Sequence, residues 1–240
     1  MKLKMILTIP TWNEALVIEQ NIKTLHAACT NFFSEHDWLI EVADNGSTDD
    51  TVHRVERLAK EINRVVVRSI SQRGKGIAIQ TSWLAYRNVC DIFLFLDADL
   101  AADVSVLPQI IKPLLMGKAD IVCGSRYFPG AHVERSQLRS FLSRFYRLWQ
   151  KLILRLPVED AQCGLKAVSK YVVERTIPLL KERAWLLDSE LIYLAHQQGL
   201  RIQEVPVQWI EQREPNRRSV LSIWRDGWEF IFGVWRIRGR

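Results

Sequence analysis

Residues 91–99 read DIFLFLDAD: an unbroken apolar run that ends in two carboxylates one residue apart, Asp97 and Asp99. A short continuous run of this kind is the signature of a strand buried on both faces, as in a parallel sheet. Two like charges directly after it repel each other, and burial makes ionising either one costlier. The pair therefore calls for a positive partner.

Working outward, the same strand character recurs at residues 2–10 (KLKMILTIP), 38–45 (WLIEVADN), 64–70 (RVVVRSI) and 120–126 (DIVCGSR). Helical-period segments lie between, over residues 14–33, 49–62, 74–89 and 103–116. This alternation predicts an α/β, Rossmann-like fold: a mostly parallel sheet with helices on both faces. Ligands of such sheets lie beyond the C-terminal strand ends. That rule selects residues 10–14, 44–47, 97–99 and 124–126.

At 240 residues the chain suits one large domain, or one domain with an appendage, and no linker-like tract divides it. Its net charge of +6 is uneven. Residues 1–125 carry 13 Lys/Arg against 15 Asp/Glu, whereas residues 126–240 carry 20 against 12. The second half is thus expected to meet something anionic. Residues 135–155 (RSQLRSFLSRFYRLWQKLILR) place Leu138, Phe141, Leu142, Phe145, Leu148, Trp149, Leu152 and Ile153 at helical spacing. Arg135, Arg139, Arg147, Lys151 and Arg155 form a second stripe. Near the C-terminus, Trp224, Trp228, Ile231 and Trp235 align beside Arg225, Arg236, Arg238 and Arg240. Such basic amphipathic helices suit a membrane interface, or a helix packed on the sheet with a solvated cationic face. Nucleic acid is disfavoured, because no recognition module is visible and the basic stripes interleave with apolar ones. There is no signal-peptide layout and no window of about 18–20 apolar residues, so a cytoplasmic protein, peripheral on a membrane's cytosolic face, is expected. Cys29, Cys90, Cys123 and Cys163 are scattered and are expected to be reduced thiols.

Each selected segment admits two readings. Asp97 and Asp99 suit a hard divalent cation, Mg²⁺ or Mn²⁺, held against a diphosphate; alternatively they form an Asp turn that caps the next helix with Asp103. Asp44 and Asn45 can read nucleotide hydroxyls or a base edge; an Asx turn and N-cap would explain Gly46, Ser47 and Asp49 but not the Asp44 carboxylate. Residues 10–14 (PTWNE) repeat this choice at the first strand exit. Residues 73–76 (RGKG) form a cationic loop without Walker A spacing.

PTWNE, VADNGSTDDT, RGKGIAIQTS, FLFLDAD and GSRY stand here in the order and rough spacing of inverting family 2 glycosyltransferases of the GT-A fold. With VEDAQCGLKAVS, LLDSELIYLAHQQG and EVPVQW, the chain resembles the dolichyl- and polyprenyl-phosphate hexosyltransferases from about residue 3 to 209, leaning to the glucosyltransferases. The resemblance implies a GT-A catalytic domain over residues 1–212, donor-binding to 126 and acceptor-binding after it, and a C-terminal basic amphipathic segment over 213–240. It implies that Pro10, Thr11, Asn13, Glu14, Asp44, Asn45, Lys75 and Ala98 bind the nucleotide sugar, with Asp97 and Asp99 holding the metal. Arg126, Arg135, Arg139, Arg217 or Arg218 would face phosphate, and Asp97, Asp99 and Arg126 would be catalytic. Asp160, Gln162 and Lys166 would flank the acceptor, and Asp188 and Glu190 the sugar hydroxyls.

Two departures stand out. Asn45 replaces a frequent aspartate, and Ala101 replaces a glutamine that helps hold the metal in some mannose synthases. The implied reaction moves a hexose from UDP-glucose or GDP-mannose to a polyprenyl phosphate with inversion. Its phosphate oxygen is already anionic and needs no strong base. The alternatives are a non-lipid acceptor, a sugar nucleotidyltransferase, which would want a glycine-rich loop that residues 10–14 lack, or an inactive membrane-binding relative.

Overall fold

The computed structural model describes residues 2–134, 137–210 and 223–240, without the side chains of 137–142 and 223–227. Arg135, Arg217 and Arg218, and the side chains of Arg139, Trp224 and Arg225, lie outside the described residues.

The chain opens with β1 (Lys4–Thr11), α1 (Ile18–Phe32), β2 (Asp37–Asp44), α2 (Thr51–Glu61), β3 (Val65–Ser69), α3 (Lys75–Tyr86) and β4 (Ile92–Leu96). Then come α4 (Leu107–Leu115), β5 (Ile121–Ser125), β6 (His132–Glu134), α5 (Gln137–Leu154), β7 (Leu165–Ser169) and α6 (Lys170–Arg175). The last elements are α7 (Leu187–Gln197), β8 (Ile202–Pro206), β9 (Gln208–Ile210) and α8 (Ile223–Arg238). The expected alternation up to residue 126 is present.

The main sheet has seven strands in the order β3-β2-β1-β4-β7-β5-β8. All neighbours are parallel except β7, which runs antiparallel to both β4 and β5. Period-two alternation assigns the two faces. Met5, Leu7, Ile9, Leu94 and Leu96 face one core with Ile18 and Ile22 of α1, Val55 of α2 and Ile110 of α4. Ile6, Phe93, Phe95, Ile121 and Val168 face the other, with Ile79 and Trp83 of α3, Val172 of α6 and Leu191 of α7. Thr8 on this second face pairs its hydroxyl with Ser82 at 2.6 Å.

The sheet is continuous across residue 126, because β7 from the second half lies between β4 and β5 of the first. The two halves divided at residue 126 therefore share one sheet. The C-terminal segment is no loose appendage either: Val234 and Ile237 of α8 are fully buried in the second core.

With β2 on one side of β1 and β4 on the other, strand order reverses between β1 and β4. A crevice opens at such a reversal beyond the carboxyl ends of the strands. Above it, β9 pairs with β6 in a two-stranded sheet and bridges Ala102 through Trp209, carrying the chain past the exit of β4.

Candidate active site

The exits of β1 and β2 are tied to each other. Asn45 N–H donates to the Thr11 carbonyl (2.9 Å), Asn13 N–H to Ser47 Oγ (2.9 Å) and Thr48 N–H to Asn13 Oδ1 (2.7 Å). Asn13 sits at φ +54, a left-handed conformation that Asn tolerates better than most residues. The Glu14 N–H donates to Thr51 Oγ1 (2.8 Å), fixing this turn to the start of α2. Thr11 Oγ1 donates to the Ile9 carbonyl, so this hydroxyl serves the frame. Pro10 is half-buried beside it.

Asp44 departs from expectation. Its carboxylate accepts the N–H groups of Gly46 and Ser47, both at 3.2 Å, in an Asx turn that does account for the carboxylate after all. Asn45 Oδ1 accepts from Gly74 N–H (2.7 Å) and so binds the RGKG loop to the rim. In that loop the Arg73 guanidinium lies 3.7 Å from the Trp12 ring centre, a cation–π contact across the crevice mouth.

The two aspartates follow β4. Asp97 N–H donates to the Gly164 carbonyl (2.9 Å), and its Oδ1 lies 2.8 Å from Lys75 Nζ. Asp99 Oδ1 accepts Ala101 N–H at 3.2 Å. Helix capping here falls to Asp103, which accepts Ser105 N–H at 2.8 Å. Asp103 thus carries the capping and Asp99 the Asp turn of that alternative reading, while Asp97 faces Lys75 on the rim. Ala98 between them is buried, and its carbonyl accepts from Asn21 Nδ2 (2.8 Å).

The protein itself supplies part of the positive charge that the DxD sequence calls for. Lys75 Nζ also reaches Asp188 (3.4 Å), which in turn binds Lys166 (2.6 Å). Both ammoniums lie over the Phe95 ring, at 4.9 and 5.5 Å. Burial opposes the charge on each lysine, but Asp188, joined for Lys75 by Asp97, outweighs it and holds both ammoniums charged.

Several expectations need correction. Arg126 was expected to present its charge to phosphate; instead its guanidinium makes a two-pronged pair with Asp160 (2.7 and 2.9 Å), whose carboxylate also accepts Arg126 N–H. Asp160 is buried, the Arg126 side chain is 13% exposed, and Trp209 covers the guanidinium at 4.9 Å. Burial raises the Asp160 pKa, yet the Arg126 charge prevails and holds it below the usual carboxylate range. Lys166 and Asp188 have no accessible face for an acceptor or a sugar, being almost wholly buried against each other. Glu190 is fully buried too; it accepts the N–H groups of Lys181 (2.9 Å) and Glu182 (2.7 Å) and binds Arg240. Gln162 donates through Nε2 to Ser189 Oγ at 2.6 Å.

Sequence reading missed Glu204, whose carboxylate accepts Glu159 N–H (2.7 Å) and Asp160 N–H (2.9 Å) and so shapes the loop beneath Arg126. It also missed the closeness of Gly164: a Cβ there would fall 1.8 Å from Asp97 Oδ2. The glycine in QCGLK was the available signal, since Gly marks close approach.

Among the described residues no third His, Cys, Asp or Glu joins Asp97 and Asp99 in a metal-ligating cluster. Two hard carboxylates with the remaining positions left to phosphate oxygens and water are what Mg²⁺ or Mn²⁺ on a diphosphate takes. The donor set fits such an ion.

An α/β sheet with carboxylates, a lysine and a polar loop frame gathered at its switch point has the layout of a ligand-binding α/β protein. The family model for glycosyl transferase family 2 matches residues 7–176, and the chain belongs to that family. Glycosyltransferase AglD of Haloferax volcanii is 30% identical over 219 residues, covering 91% of this chain but 34% of its own length, so the chain spans about a third of that relative. The dolichyl-phosphate beta-glucosyltransferase of Dictyostelium discoideum is 26% identical, over 96% of this chain and 76% of its own. Among solved structures, glucosyl-3-phosphoglycerate synthase from Mycobacterium tuberculosis with Mn²⁺, UDP-glucose and phosphoglyceric acid superposes with TM-score 0.71 at 20% identity, covering 99% of this chain and 80% of that one. That likeness carries the GT-A fold.

Proposed function

We propose that this protein transfers a hexose, glucose in the leading reading, from a nucleotide sugar to a polyprenyl or dolichyl phosphate with inversion. The observation that carries the reading is the rim at the β1/β4 switch point, where Asp97, Asp99, Lys75 and the Asp44–Asn45 turn converge. The name of the Dictyostelium relative, aligned over nearly the whole chain, supports the lipid phosphate.

Asp97 and Asp99 would hold a Mg²⁺ or Mn²⁺ ion, which when bound neutralises the departing nucleoside diphosphate. The turns at 10–14 and 44–47 form the nucleoside wall, with Trp12 and Arg73 at its mouth. Thr11, Asp44 and Asn45 shape that wall by holding its backbone. Arg126 and Asp160 act as one rigid unit that sets the exit of β5 on the acceptor side. Since the acceptor phosphate is already an anion, the site needs no strong base and has only to position and desolvate it.

We further propose that the protein meets its lipid at a membrane surface through α5 and α8. The helices pack through Trp149, whose ring lies 6.2 Å from Trp235 and whose Nε1 donates to the Ile231 carbonyl. Phe145, Leu148 and Leu152 on α5, and Trp228, Phe232 and Trp235 on α8, are each more than half exposed. Arg144, Arg155 and Arg238 are exposed beside them. Apolar, aromatic and cationic side chains in this mixture suit a headgroup layer. Among the described residues no helix is long and apolar enough to cross a membrane.

The test is transfer of labelled sugar from UDP-glucose and GDP-mannose to a short polyprenyl phosphate, with Mg²⁺ or Mn²⁺ and with EDTA. EDTA-sensitive glycolipid formation from one donor is expected. Donor hydrolysis without transfer would remove the lipid acceptor, and no turnover of either donor would remove the enzymatic reading.

A further inference from the structure

We propose that Asp188 is a positioning residue for the donor end of the site, acting through Lys75 to fix the Asp97 carboxylate. The inference rests on the reading of Asp97 as part of a metal–diphosphate site.

Four charges alternate in a line: Asp97, Lys75, Asp188 and Lys166, with separations of 2.8, 3.4 and 2.6 Å. They come from the exit of β4, the first residue of α3, the first turn of α7 and β7. Only Asp97 reaches the rim, with 29% of its side chain exposed against 9%, 2% and 0% for the others in order.

The line is held at both ends. Lys75 cannot slide, because Gly74 and Gly76 lie flat on the Arg183 backbone: a Cβ on them would fall 2.2 and 2.8 Å from it. Ile77 N–H donates to the Arg183 carbonyl at 3.1 Å. Asp97 cannot swing inward, because the bare Cα of Gly164 lies against its Oδ2. Lysine on one side and glycine on the other leave the carboxylate one orientation.

Asp188 also sets the charge of the cluster. With it, two carboxylates balance two ammoniums. Without it, Lys75 keeps Asp97 as its one carboxylate partner in the line, and a divalent cation must compete with that ammonium for Asp97 in a poorly solvated site. An acid that touched the sugar would have no such effect on metal affinity.

The experiment is calorimetric titration with UDP or GDP, whichever the wild-type protein binds more tightly, with and without Mn²⁺. Asp188→Asn should weaken the Mn²⁺-dependent binding at least tenfold and change metal-free binding less than twofold. Gly164→Ala, which removes no charge but presses directly on the Asp97 carboxylate, should give the same signature, and Asp188→Glu, which keeps the charge, covers the case in which Asp188→Asn does not fold. In an Asp97→Ala background, Asp188→Asn should add nothing. Wild-type-like binding by Asp188→Asn, equal losses with and without Mn²⁺, or additive losses in the double variant would each overturn the proposal. If the wild-type protein shows no Mn²⁺-dependent nucleotide binding, the functional reading fails and this one with it.

Discussion

At the scale of single residues, the aspartates and the rim were legible because a strand exit is a local event: an apolar run stops and polar residues follow. Their partners were not. Asp160 stands 34 residues from Arg126, and Asp188 more than 100 from Lys75, so no spacing rule joins them. GSRY alone reads as an arginine offered to a ligand, and only the fold reveals the carboxylate already on it. Breaking this buried pair should be costly. Asp160→Ala is expected to lose about 3–5 kcal/mol in urea unfolding, because the guanidinium stays buried without a counter-charge. The pH dependence has a definite sign. The folded pKa of Asp160 lies below its unfolded value of about 3.9, so the pair's stability is fully present above that pH. It is lost as pH falls through the folded value. The stability gap between wild type and Asp160→Asn, followed by acid unfolding, should therefore be constant at neutral pH and close at the acid end.

At the scale of elements, the strands and helices before residue 126 follow from period and length, which each segment carries in its own sequence even where, as for β4 and β5, the partner strand comes later in the chain. The sequence reading did not make β7 a strand, because the residues of VEDAQCGLKAVS carry motif chemistry and no alternation. The tail was harder still. Its Arg236 and Arg240 looked like a headgroup-facing stripe, but both close on the body. Arg236 makes paired bonds to Glu182 (2.9 and 2.7 Å), while Arg240 binds Glu182 and Glu190. Arg147 and Lys151 of the α5 stripe likewise meet Glu159. Replacing both Arg236 and Arg240 with Ala should cost about 1–3 kcal/mol by leaving two buried carboxylates without their cations. Thermal melting checks this; an unchanged midpoint would mean that α8 is held by its apolar side alone.

At the scale of the whole molecule, the charge asymmetry read from composition resolves into a neutralised interior and an exposed apolar–cationic helix pair. Partition onto vesicles containing anionic lipid should fall at least tenfold for Trp228→Glu with Phe232→Glu, with the Trp–Phe stack (5.7 Å) replaced by charge. Binding by wild type should weaken with added salt, because surface attraction is screened over about 10 Å at 0.1 M. The four cysteines are buried and unpaired. Burial pushes Cys29 and Cys163 up to about 12 and Cys90 to about 11, and Cys123 rises as well. The native protein should thus be inert to thiol reagents near neutral pH and react at all four positions once unfolded in urea.

The inserted antiparallel strand has a consequence for how the chain comes into being on the ribosome. Until residues 165–169 emerge, β4 and β5 each present a bare hydrogen-bonding edge lined by apolar side chains, although their own sequences are complete. Residues 1–169 must all be synthesised before the centre of the sheet can close. Nascent chains stalled between residues 126 and 164 are therefore the species most prone to mispairing and in most need of a chaperone.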